Sequence, residues 1–71
     1  MKKKTSMHGN YVVRVCRVTN GKGGKIDIEN YRTKEKTVFD IDSQGTFMQR
    51  DRNNPGTKVM ERAIKIYKEL V

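Results

Sequence analysis

The sequence has very few of the residue types from which small sites and stapled scaffolds are built. Its 71 residues include one cysteine, Cys16, one histidine, His8, and no tryptophan. A single cysteine cannot close an internal disulfide, which excludes a disulfide-stapled secreted fold. A structural zinc site needs about four closely spaced ligands, which one Cys and one His cannot supply. We therefore expect no metal, no cofactor, and a reducing, intracellular (cytoplasmic) location.

Long apolar stretches are also absent. No run approaches the ~20 apolar residues that a membrane-spanning helix needs, so we expect no membrane partner. The basic start of the chain is followed by the polar residues 5–10 instead of the apolar segment of a secretion signal. We interpret residues 1–9 as a flexible basic arm, and residues 10–71 as a single small α+β domain.

Acidic residues are half as numerous as basic ones. Sixteen Lys and Arg against eight Asp and Glu give a net charge of +8, which favours an anionic partner. Only 34% of the residues are hydrophobic, which is too few to build a deep catalytic cleft in so short a chain. His8 in a mobile arm and Cys16 in a strand have no partner that would activate them. We expect no enzymatic activity.

Hydrophobic alternation predicts a sheet in the first two thirds of the chain. Residues 11–19 are rich in β-branched side chains and form the strongest strand signal. A glycine-rich turn at residues 20–24, which must accept positive φ angles, joins them to a second strand at residues 25–32. A turn at residues 33–36 leads to a third strand at residues 37–42. Beyond this meander, residues 42–45 form a turn, and residues 46–50 give a weaker signal for a fourth strand.

The last fourteen residues carry apolar side chains at helical spacing. Asn54 with Pro55 suits a helix start, and Thr57 is a competing cap. A helix of about this length is marginal alone and must pack on an apolar surface. The only such surface in the chain is one face of the sheet, formed by Val13, Val15, Ile26, Ile28, Phe39 and Ile41. The predicted fold class is α+β: a three- or four-stranded antiparallel β-meander with one C-terminal α-helix packed on one face (β-β-β-(β)-α).

The second face of this sheet is then left open. Its predicted residues are Val12, Arg14, Cys16, Val18, Asp27, Glu29, Tyr31, Val38 and Asp40. One interpretation is a solvated face on which Arg14 pairs with Asp27 or Glu29. The other is a nucleic-acid platform that uses Arg14 and Tyr31.

Basic residues cluster in the arm and at both hairpin turns. Backbone N–H groups in glycine-rich turns approach phosphates closely, and flanking cations strengthen such contacts. A basic arm gains affinity for nucleic acid by counterion release. A further cluster at the helix start consists of Arg50, Arg52, Lys58 and Arg62. The predicted nucleic-acid-binding residues are Lys2, Lys3, Lys4, Arg14, Arg17, Lys22, Lys25, Tyr31, Arg32, Lys34 and Lys36.

These features predict a small basic nucleic-acid-binding protein that contacts phosphates through its arm and hairpin loops. DNA is preferred over RNA as the partner, and single and double strands both remain open. The alternative is a protein-interaction module or small regulator or inhibitor of phage or mobile-element type. It would use the open sheet face or an edge strand, possibly as a homodimer. Apolar residues on both faces of the first strand motivate this alternative.

The predicted outline resembles three kinds of nucleic-acid-binding protein. A four-stranded version of it would resemble a family of single-strand-binding proteins. A three-stranded sheet with a C-terminal helix looks like the arm-binding domains of phage and transposon integrases. It is also similar to the β-β-β-α part of double-stranded-RNA-binding domains, although the first helix and the basic helix start of that family are absent. The resemblance is one of architecture alone, because no residue motif accompanies it.

Overall fold

The computed structural model describes all 71 residues and contains five strands and one helix. The elements are β1 (Lys2–His8), β2 (Tyr11–Arg17), β3 (Gly24–Asn30), β4 (Lys36–Ile41), β5 (Phe47–Gln49) and α1 (Thr57–Glu69). The strands form one sheet in the order β1-β2-β3-β4-β5, with every neighbouring pair antiparallel. The predicted α+β meander with a C-terminal helix is confirmed, with five strands instead of three or four.

The additional strand, β1, lies where we expected a flexible arm. Lys2 to His8 pair with β2 along its whole length, from Lys2 opposite Arg17 to His8 opposite Tyr11. A two-residue turn joins the strands, with Gly9 at φ 59° in its first position, where type II′ hairpins place glycine. An edge strand is held by main-chain hydrogen bonds to its one neighbour and needs no apolar face. Its polar sequence therefore carried no hydrophobic alternation from which to recognise it.

The core lies between the helix and one face of the sheet, as predicted. Val13, Val15, Ile26 and Ile28 are at most 1% exposed, and Ala63 of α1 is fully buried against them. A helix of 13 residues is marginally stable alone in water. Burial of its apolar stripe stabilises it, at about 1.5–3 kcal/mol for each large side chain removed from water.

Of two local expectations about backbone geometry, a positive φ in the loop at residues 20–24 is confirmed, whereas a side-chain cap at the helix start is wrong. In the loop between β2 and β3, the positive φ falls on Asn20 (59°) and on none of the glycines that follow it. Gly24 is needed for a different reason, since a Cβ there would lie 2.1 Å from the Cys16 carbonyl oxygen. The helix is preceded by Gly56, at φ 99°, with no side-chain cap. The Asn54 side chain instead accepts the Gly56 N–H at 2.9 Å, forming a turn before the helix.

The chain that follows β5 completes the pairing of β4. The N–H of Arg50 donates to the Val38 carbonyl at 2.9 Å. The N–H of Val38 in turn donates to the Asp51 carboxylate at 3.1 Å, so a side chain takes the role of a neighbouring strand. The Asn53 amide donates to the Lys36 carbonyl at 2.6 Å. The part of β4 that extends beyond β5 is therefore paired by the chain that follows β5.

Candidate nucleic-acid interface

The centre of the open sheet face is an ion-pair cluster. Arg14 lies opposite Asp27 in the register, and its guanidinium is 3.4 Å from Glu29 and 4.0 Å from Asp27. The predicted cross-strand pairing is thus present. Because two carboxylates share Arg14, its charge is already compensated, which weakens its case as a phosphate contact.

Tyr31 does not lie on the open face. β3 ends at Asn30, and Tyr31 belongs to the turn that follows. Its N–H donates to the Asn10 carbonyl at 3.0 Å, and its hydroxyl is 3.4 Å from the Asn10 side-chain oxygen. Tyr31 therefore sits beside the β1–β2 turn at one end of the sheet and is not part of a sheet-borne stacking platform.

Arg17 is engaged in holding the helix to the sheet. Its side chain donates to the Gly21 carbonyl at 2.9 Å and to the Tyr67 carbonyl at 3.1 Å. The guanidinium also lies over the Tyr67 ring, 4.4 Å from its centroid. A cation near the last carbonyls of a helix is favoured by the helix dipole. These contacts give Arg17 a structural role, although the sequence placed it with the phosphate-binding residues.

The two basic hairpin turns do not converge. Because β3 connects them, the turn that carries Lys22 and the turn that carries Arg32 and Lys34 lie at opposite ends of the sheet. Seven residues of strand separate them by roughly 20 Å. Lys25 and Lys36 lie on the open face between these ends, opposite Asp40 and Glu29 respectively. The turns and the first strand do not form a single compact site.

The lysines of β1 lie along the sheet's outer edge and alternate between its two sides. Lys3 is opposite Cys16 on the open face, whereas Lys2 and Lys4 are on the face that α1 covers, Lys4 being opposite Val15. All three lysines are exposed. Lys2 donates to the main-chain oxygen of Val71 at 2.5 Å, which ties the start of β1 to the end of the chain.

A groove runs between β1 and α1 and has a volume of about 210 Å³. Its lining residues, which we call the cationic groove, are Lys4, Ser6, Arg62, Lys65, Ile66 and Glu69. Three cations face a single carboxylate there. Sequence reasoning placed Arg62 with the helix start and overlooked Lys65. The available signal was their position at the margin of the apolar stripe, one residue before the buried Ala63 and Ile66.

Few of the basic residues are compensated by acidic side chains. The three ion pairs of the molecule involve only Arg14 and Arg50 among the cations. Lys3, Lys4, Arg62 and Lys65 have no Asp or Glu carboxylate within ion-pair distance. Lys3 and Lys4 of β1 and Arg62 and Lys65 of the groove therefore form a strip of positive charge without ion-pair partners, with Glu69 as the one acidic residue in the groove.

The acidic residues near β5 are held by local donors instead. The Arg50 guanidinium hydrogen bonds to both oxygens of Asp40, at 2.5 and 2.8 Å. This bond lowers the pKa of Asp40 and raises that of Arg50. A hydrogen bond from the Gln49 amide lowers the pKa of Asp51, partial desolvation opposes that shift, and the N–H groups of Val38 and Asn53 lower the pKa further.

Other functional features are sparse. His8 lies on the helix-covered face of β1 and Cys16 on the open face of β2, so the two are on opposite sides of the sheet. No three His, Cys, Asp or Glu side chains gather in a position to hold a metal ion. The single helix is too short and too polar to cross a membrane.

Comparison with known proteins found no matching family, no similar curated protein and no similar solved structure.

Proposed function

We propose that this protein binds nucleic acid through the phosphate backbone, with the β1 edge and the cationic groove as its contact surface. The observation that carries the proposal is the strip of positive charge without carboxylate partners: Lys3 and Lys4 on β1, and Arg62 and Lys65 on α1. Exposed cations of this kind displace the counterions of a polyanion, which supplies sequence-independent affinity.

The location of these cations also supports the proposal. β1 and α1 are regular elements joined through the sheet and the core, so the main-chain positions from which the four cations project are fixed relative to one another. Ser6 adds a hydroxyl donor within the groove. Phosphate contacts from such an arrangement position a protein on nucleic acid without specifying a base sequence. We therefore expect binding with little sequence preference.

The homodimer alternative has weaker support. Met7 and Met48 are 59% and 62% exposed on the open face, but Met7 and Met48 lie on opposite edge strands. The Arg14 ion pairs occupy the face between them. Because charged groups divide the apolar residues, the open face offers no continuous apolar patch of the kind that stable interfaces bury.

The proposal is tested by titrating a fluorescently labelled duplex with the protein at two salt concentrations. Four phosphate contacts predict a slope of log K against log [salt] of about −3.6, so affinity falls roughly 10²-fold between about 50 and 200 mM salt. No binding at the lower concentration, or binding that ignores salt, would contradict the proposal.

A pair of matched variants locates the surface. Replacing two groove cations, Arg62→Gln with Lys65→Gln, should weaken binding by about 50-fold at ~0.1 M salt. The control removes two charges from the hairpin turns, Lys22→Gln with Lys34→Gln, and should change affinity by less than about fivefold. The reverse order would place the contact at the turns, as the sequence alone suggested.

A further inference from the structure

Most aromatic side chains of the molecule pack in or against the hydrophobic core. Tyr67 is buried, and Tyr11, Phe39 and Phe47 pack against the core cluster. Phe47 meets Tyr67 edge-to-face, with ring centroids 5.4 Å apart. Tyr31, at 42%, is the only aromatic residue among the exposed large hydrophobic ones. Proteins that hold single strands gain much of their affinity by stacking bases on exposed aromatic rings, and this surface offers one ring at most.

That one exposed ring is far from the lysines of β1. Tyr31 contacts Asn10 in the turn after β1, whereas Lys2, Lys3 and Lys4 begin the strand. Four residues of strand, or about 13 Å, separate Lys4 from the end of β1 at His8, and Tyr31 lies beyond that end. A single strand lying on the cationic groove would therefore have no aromatic side chain on which to stack its bases.

The cations themselves favour the ligand with the denser charge. A double helix carries one phosphate per ~1.7 Å of its axis, against ~3.4 Å for each strand taken alone. The cations of the strip project on both sides of the edge, Lys3 on the open side and Lys4, Arg62 and Lys65 on the groove side. A protruding edge that presents charge on both sides can contact more phosphates on a duplex than on one flexible strand.

From these two observations we infer that the preferred partner is a double helix, held by its phosphate backbone and without base stacking. This inference rests on the proposed function and narrows its ligand class. The shared chemistry is the backbone of a duplex, which DNA and RNA both provide. Counterion release alone, at four contacts and ~0.1 M salt, favours duplex DNA over a single strand by about sixfold.

The experiment compares three labelled ligands of equal length with the full chain: a mixed-sequence DNA duplex, the corresponding RNA duplex, and oligo-dT, which forms no duplex. Affinities are measured across salt for the wild type and for Tyr31→Ala. The exposed position of Tyr31 in a turn makes this substitution compatible with folding, which circular dichroism verifies. We expect the DNA duplex to bind at least about fivefold more tightly than oligo-dT, with slopes near −3.6 and −2.8 respectively. Tyr31→Ala should leave every affinity unchanged.

The outcomes separate the inference from the function on which it rests. Tighter binding of either duplex supports the inference, and the DNA and RNA arms then identify the kind of duplex. Equal or tighter binding of oligo-dT overturns the inference while the proposed function stands, and loss of that binding in Tyr31→Ala would assign it to stacking. Absence of binding to all three ligands would overturn both.

Discussion

The two edges of the sheet use charge in opposite ways. Around β5, charged groups are bound by the protein itself: Arg50 hydrogen bonds to Asp40, and Asp51 accepts the Val38 N–H. Along β1, Lys3 and Lys4 have no acidic partner, and no acidic residue occurs within the strand. The positive charges behind the net charge of +8 therefore differ in their surroundings. The charged groups at the β5 edge bind other parts of the protein, whereas Lys3 and Lys4 at the β1 edge have no acidic partner.

The largest effect on duplex affinity should come from removing two positive charges at the β1 edge, compared with removing two at the β5 edge. Replacing Lys3 and Lys4 by Gln removes two phosphate contacts and should weaken duplex binding about 50-fold at ~0.1 M salt. Replacing Arg50 and Arg52 by Gln should reduce affinity by less than about fivefold, because Arg50 is compensated by Asp40 and Arg52 lies outside the β1 edge and the cationic groove. Fluorescence anisotropy with one labelled duplex measures both. Equal losses of affinity in the two variants would show that only the total charge matters, and would contradict the distinction between the two edges.

Arg17 tests whether a basic residue beside the β1 edge can be purely structural. Arg17→Gln removes the hydrogen bonds to Gly21 and Tyr67 and the cation above the Tyr67 ring. The free energy of unfolding should fall by about 1–3 kcal/mol, measured by urea denaturation. Lys3→Gln is the matched control and should change stability by less than about 0.5 kcal/mol. A loss of duplex affinity in Arg17→Gln at full stability would assign Arg17 to the contact surface.

Asp51→Asn should destabilise the β5 edge in a pH-dependent manner. The hydrogen bonds of Asp51 lower its pKa in the folded state below the ordinary value of 3.8. A lowered pKa means that the stabilisation is complete above 3.8 and is lost as the pH falls through the folded-state pKa. The melting temperature of Asp51→Asn should therefore lie below that of the wild type at neutral pH and approach it in acid. A difference in melting temperature that stays constant with pH would show that the charge of the Asp51 carboxylate does not contribute to stability.

Asp40→Asn should have the smallest effect of the series. Its pair with Arg50 is bidentate, but both side chains are about half exposed (44% and 57%), and exposed ion pairs contribute little to stability and are screened by salt. We expect a slight fall in melting temperature at low salt and none at high salt. A large fall that persists in high salt would mean that the β5 edge depends on this pair more than on Asp51.

Sequence patterns predicted those parts of the fold that bury apolar surface. Alternation identified the core-facing sides of β2 to β4, on which Val13, Val15, Ile26, Ile28 and Ile41 are buried and Phe39 is partly buried. Helical spacing identified the stripe that includes Ala63 and Tyr67. The sequence of β1 has no such alternation, because an edge strand is held by main-chain hydrogen bonds that do not depend on apolar side chains. The Gly9-Asn10 dipeptide was the one available signal, as this pair is typical of two-residue hairpin turns.

The candidate site was harder to predict than the fold. Lys4 is 58 positions before Arg62 in the chain, and only the pairing of β1 beside the helix brings them to one groove. With β1 interpreted as a flexible arm, Arg62 was grouped with the cations of the helix start, and Lys65 remained an ordinary exposed residue of the helix. The contacts of Arg17 could not be predicted for the related reason that Gly21 and Tyr67 come from the loop and the helix end.

The lysines of β1 also affect self-association of the protein through its edge strand. An exposed edge strand is a template for main-chain pairing with another molecule, and lysines on such a strand oppose that pairing. At the other edge, the outer strand β5 has only three residues, and the Asp51 side chain accepts the Val38 N–H of β4 beyond the end of β5. Growth of the sheet is therefore hindered at both sides. High salt, or a polyanion that neutralises Lys3 and Lys4, weakens only the first of these barriers. Self-association into extended sheets should accordingly begin at β1.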